Sequence, residues 1–223
     1  MNIEVEIRNI SRPVAAFTLI ELLVVIAIIG ILAGLIVGLG GVVGDKKSIS
    51  RTRAELERLE TLIEAYKAKL GVYPPDNPNN PLAPTNTSLF YELAGAQKLP
   101  NGDFDTPFGI VSAATLNAAC GVGGIVNSWS GDIEDRARVQ RLITQVKSDQ
   151  TNVINVSGQT IIVFVSPVEG TNGRTVNPIF YRAGTNAIKN PGQYDIWAEI
   201  KVRRGVPNAV PGKQTKVIGN WKD

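Results

Sequence analysis

The chain has 223 residues and no histidine, which removes the side chain that titrates nearest neutral pH and the commonest metal ligand. Neither a cofactor nor a metal site is expected. A single cysteine, Cys120, excludes an intrachain disulfide, and a small, partly buried side chain is the expectation for it. Phosphate-cradling loops are lacking too. Gly121-Val122-Gly123-Gly124 is not followed by the Lys and Ser or Thr that would complete such a loop. Net charge is only +3, and Lys201, Arg203, Arg204 and Lys213 are scattered, the pattern of a solvated face rather than of a nucleic-acid surface. These absences argue for a structural protein and against an enzyme.

What the chain does have is one long apolar run, PVAAFTLIELLVVIAIIGILAGLIVGLGGVVG, over residues 13–44. A conventional secretory signal has an apolar core of roughly 7–15 residues, far shorter than Phe17–Val43. A plain membrane anchor fits the length, since roughly 20 apolar residues span a bilayer. It leaves Glu21 unexplained, because a carboxylate in a membrane segment is costly and is normally kept for a partner or a function. A cut before Phe17 would supply that partner. The new α-amino group could pair with Glu21 of a neighbouring copy, and a mismatched stagger would strand both charges. Basic residues give the opposite hint about orientation: Arg8 and Arg12 precede the run, whereas Lys46, Lys47, Arg51 and Arg53 follow it.

Ala16-Phe17-Thr18-Leu19-Ile20-Glu21, preceded by Arg12 and followed by LLVVIAIIGILAGL, resembles the N-terminal signal of type IV pilins and type II secretion pseudopilins. The resemblance implies that a prepilin peptidase cuts between Ala16 and Phe17 on the cytoplasmic side and N-methylates Phe17. It also implies that Glu21 is the assembly acid. Two positions depart from the family pattern: Ala16 stands where Gly is usual, and Gly38 stands at the twenty-second mature position, where many members have Pro. Only Pro would remove a backbone donor there. Gly30, Gly34 and Gly38 form a stripe of small residues. Such a stripe either packs helices closely in a membrane or marks a stretch that unwinds, since each Gly weakens a helix by up to about 1 kcal/mol.

Beyond the apolar run, Leu56, Leu59, Ile63, Tyr66 and Leu70 recur at 3-4-3-4 spacing and predict an amphipathic helix. Arg51 with Glu55 and Arg53 with Glu57 are expected as i,i+4 pairs on its wet face. Gly71 and Pro74-Pro75 end it. The remaining residues suffice for one globular domain. Helices are expected over 88–97 and 131–147, and strands over 160–166, 177–183, 194–202 and 216–220. The expected organisation is a 1–16 leader, a 17–44 transmembrane and assembly helix, a 45–71 amphipathic continuation and a 72–223 head. The fold class is α+β and pilin-like, a long helix packed on a small antiparallel sheet.

Within the family, ELERLETLIEAYKAKLGVYP and the strand Tyr194-Asp195-Ile196 are most similar to the major pseudopilin of type II secretion. Members of that group bind calcium in an acidic loop after this strand. Here Lys201-Val202-Arg203-Arg204-Gly205 is basic, so no metal is carried over, and Asp195 is expected to be a turn or strand-edge acid. The resemblance implies a structural filament subunit of the inner membrane with its head outside the cytoplasm. Its implied partners are copies of itself, prepilin peptidase, an assembly platform with minor pseudopilins, and membrane lipid. The alternatives are a surface pilin for adhesion, motility or DNA uptake, and a membrane-anchored binding or enzymatic domain without a filament.

Overall fold

A computed structural model describes residues 18–77, 86–131, 136–168, 177–202 and 215–221, with the side chains of 35–43 excepted. The chain divides into two units, Met1–Val43 and Gly44–Asp223. Helix α1, Leu19–Leu70, is continuous across the boundary. It ends where Gly71 adopts a left-handed φ of 79° and donates its N–H to the Lys67 carbonyl at 2.8 Å, the C-terminal cap expected of glycine.

In the second unit, the predicted stripe is the part of α1 that goes inside. Leu56, Leu59, Ile63 and Tyr66 are at most 2 % exposed and belong to one apolar cluster with residues from every sheet of the head. Polar bonds fix the same face: Thr52 Oγ1 lies 2.7 Å from Ser166 Oγ, and Gln150 Nε2 donates to Glu55 at 2.9 Å. Glu55 is therefore buried rather than on the wet face. Its ionic partner is Arg58, at 2.6 Å one turn on, rather than Arg51; no Arg53–Glu57 bridge occurs among the described residues.

After α1 come α2 (Leu89–Ala94), β1 (Ala96–Lys98), β2 (Phe104–Thr106), β3 (Gly109–Val111), α3 (Ala113–Cys120) and β4 (Ser128–Trp129). Then follow β5 (Thr151–Val156), β6 (Gln159–Phe164), β7 (Phe180–Ala183), β8 (Tyr194–Lys201) and β9 (Thr215–Gly219). They form three sheets, not the single antiparallel one expected: β3-β2-β1-β4, β5-β6 and β7-β8-β9. The first contains a parallel pair, β1 with β4, while the other two are antiparallel. The architecture is α+β. Central strand β8 shows the alternation of a half-buried strand: Ile196, Ala198 and Ile200 are fully buried, and Trp197 and Glu199 between them are partly exposed.

The helix expected over 131–147 does not extend past Arg136. Residues 137–147 run without regular structure, and 132–135 lie outside the described residues. The backbone there is recruited elsewhere. Leu142 and Ile143 both donate N–H to the Leu93 carbonyl at 3.0 and 3.1 Å, and Gln140 N–H donates to Asn127 Oδ1 at 2.8 Å. Leu93 sits at the end of α2, where helix carbonyls lack internal partners, so this segment supplies the missing donors. Gly95 makes room for it: its φ is 67°, and a Cβ would lie 2.8 Å from Val139 Cγ1. The expected 88–97 helix is correspondingly shortened, giving way to β1 after Gly95.

Candidate functional site

The candidate site is the first half of α1. Thr18 is its N-cap, and Thr-x-x-Glu is a capping box. The Thr18 N–H and hydroxyl donate to Glu21 Oε2 at 2.8 and 2.7 Å, while the Glu21 N–H returns to Thr18 Oγ1 at 3.3 Å. Within one chain the acid is thus occupied locally, by backbone and hydroxyl donors at its own helix start. The Thr-x-x-Glu spacing is the sequence signal of this role.

The side chains that follow are exposed among the described residues. Leu19 and Ile20 are 82 % and 71 % exposed, and Leu22, Leu23, Val24, Val25, Ile26, Ile28, Ile29, Ile31 and Leu32 are all exposed. A helix apolar on every side is stable in lipid or inside an assembly, not in water. Gly30 and Gly34 fit that reading, because among the described residues a Cβ on either would meet nothing within 4 Å. The helix is unbroken through Gly30, Gly34 and Gly38. Ala16 and Phe17 lie outside the described residues, as does the side-chain environment at Gly38. Among the described residues no helix is long and apolar enough to cross a membrane. The described side chains of the run stop at Gly34, short of the roughly 20 residues a span needs.

In the head, the chemistry-bearing groups serve structure. Glu92 is fully buried in α2. It accepts from Tyr66 Oη at 2.8 Å, Val126 N–H at 2.9 Å and Asn127 N–H at 3.0 Å, tying α1 and the α3–β4 loop to one carboxylate. Burial raises its pKa above the usual carboxylate range despite those three donors. The Tyr66 hydroxyl is likewise pushed up, by burial first and by the Glu92 charge second. Asp195, expected at an edge or turn, is 2 % exposed. Its carboxylate accepts three successive backbone N–H groups, from Ile188, Lys189 and Asn190, at 2.6 to 2.8 Å, and so shapes the β7–β8 connection. Among the described residues no cluster of three or more His, Cys, Asp or Glu could hold a metal; 203–214 lie outside them. Cys120 is fully rather than partly buried, and burial pushes its thiol up to about 12, the environment of a core cysteine with little thiolate at neutral pH.

Residues 11–37 match the prokaryotic N-terminal methylation motif. The match spans 27 of the 223 residues and supports the resemblance of this N-terminal signal to that of type IV pilins and pseudopilins. That motif covers the whole start of α1 in this pilin-like chain, including the capping box and the exposed apolar residues, and it indicates a structural protein processed by prepilin peptidase and assembled into a filament. No curated protein and no solved structure matches the chain.

Proposed function

We propose that this chain is a structural subunit of a type II secretion pseudopilus. It is held in the inner membrane by residues 17–44 with the 72–223 head outside the cytoplasm, cut between Ala16 and Phe17, N-methylated on Phe17, and polymerised through α1. One observation carries the filament reading: a helix start that is apolar on all sides, exposed within its own chain and interrupted by one acid, Glu21, lies inside the methylation motif. A carboxylate there is tolerable in lipid only while it has donors. Thr18 supplies them in the single chain, and the α-amino group of a neighbouring Phe17 supplies a cation in the filament. Exchange of one partner for the other sets the stagger between copies.

The pseudopilus assignment draws support from the two head segments that resemble the major pseudopilin, because they meet in space. Tyr73 of the Gly71-Val72-Tyr73-Pro74 turn packs edge-on against Tyr194 with ring centroids 5.0 Å apart. Tyr181 Oη on the adjacent strand donates to the Pro74 carbonyl at 2.8 Å. The platform and minor pseudopilins are the partners this role requires. Deleting the gene tests it. The expected outcome is accumulation of secreted proteins in the periplasm with surface fibres intact; loss of a surface fibre with secretion intact would assign the chain to a surface pilus instead.

A further inference from the structure

The first turns of α1 beyond the apolar run carry four cations that the filament role does not use. Lys46, Lys47, Arg51 and Arg53 are all exposed. Among the described residues none of them has an ion-pair or hydrogen-bond partner; the ion pair that forms is further along, Arg58 with Glu55. At 100° per residue the four fall on one broad face, opposite Thr52, Leu56 and Leu59, which are buried. Charge is also sorted along the helix. The cations come within ten residues of Val43, with Asp45 the one acid among them, and the acids Glu55, Glu57, Glu60 and Glu64 follow further out.

We infer that Lys46, Lys47, Arg51 and Arg53 form a docking surface for anionic phospholipid headgroups, which holds the base of the head against the membrane before assembly. The inference rests on the reading of residues 17–44 as a membrane segment. Its warrant is charge complementarity at a fixed place. A basic cluster directly after an apolar span lies at the depth of the headgroups, within a Debye length of the charged surface. Each such cation shifts partitioning toward an anionic surface by about fivefold. The excess of positive charge on this side of the run, which runs against the usual bias of membrane topology, then has a binding role.

The test uses the full chain with Ser50→Cys, an exposed position on the cationic face, labelled with an environment-sensitive dye and reconstituted into vesicles containing either brominated phosphatidylglycerol or brominated phosphatidylcholine. The buried Cys120 does not compete for label. The expected result is quenching several-fold stronger by brominated phosphatidylglycerol, falling in high salt and lost in the K46Q/K47Q/R51Q/R53Q variant. Equal quenching by the two lipids overturns the inference and leaves the membrane reading standing, and so does a preference that survives in the quadruple variant. Equal quenching with dye self-quenching that grows with protein density also overturns it, and assigns the cations to Glu57, Glu60 and Glu64 of a second copy. Quenching by neither lipid would instead remove the membrane reading itself.

Discussion

The two halves of α1 share one helix and opposite fates. Between Leu56 and Tyr66 the apolar stripe is sealed inside the head, with polar residues on the remaining faces. Between Leu19 and Leu32 the apolar residues occupy every face and all are exposed. Burying a side chain such as Leu or Ile is worth about 1.5–3 kcal/mol. The second half realises that energy within its own chain, whereas the first half leaves it to be realised in lipid or against other copies. On the proposed filament reading the single acid in the first half is a specificity element, while the acids of the second half are solvated or, like Glu55, matched by local donors.

The sharpest way to break this contrast is at Glu21. Glu21→Ala should lower filament incorporation more than tenfold in a pelleting assay while leaving the urea midpoint of the detergent-solubilised chain unchanged. A variant that assembles at normal levels would remove the register role. Next in size is Glu92→Leu, which strands the Tyr66 hydroxyl and two backbone N–H groups at about 1–3 kcal/mol each. Urea unfolding should show the head destabilised by several kcal/mol, with no change in cleavage before Phe17. Leu59→Ala should cost about 2–5 kcal/mol. Ile29→Ala, in the exposed half, should move the same unfolding midpoint by less than about 0.5 kcal/mol; equal effects would erase the distinction between the halves.

Two smaller effects sharpen it. Because burial raises the Glu92 pKa in the folded state, the native chain binds more protons than the unfolded one between the ordinary carboxylate value of 4.5 and the raised value. Stability should therefore fall as pH rises through that window, and the slope should flatten in Glu92→Gln when unfolding is followed as a function of pH. At Cys120, maleimide labelling at neutral pH should be negligible in the folded chain and rapid in urea, as a buried thiol pushed up to about 12 requires.

The most legible parts of this molecule were those with long periodic patterns or a special residue type. The stripe Leu56–Tyr66, the cap at Gly71 and strands β6, β7, β8 and β9 stand close to where periodicity, β-branching and turn residues place them. β1, β2, β3 and β4 are two or three residues long, too short for a period of two to register. Helix α3 is alanine-rich with little contrast between faces, although its Ser112-x-x-Thr115 cap, with Thr115 N–H donating to Ser112 Oγ at 2.9 Å, was present to be read. The 131–147 pattern misled for a physical reason. Ile143 is buried and Leu142 and Val146 partly so, so the spacing reflects real burial, but the backbone donors are committed to Leu93 and Asn127 instead of to a helix. At the candidate site the apolar run and Glu21 were legible, and the Thr18 cap was hidden behind them.

The account turns on whether the chain is processed, and the intact mass and first residue of the protein purified from native membranes decide that directly. A chain beginning at N-methylated Phe17 is the predicted result. A chain beginning at Met1 would contradict it, leaving an anchored domain whose Glu21 does no more than cap its own helix.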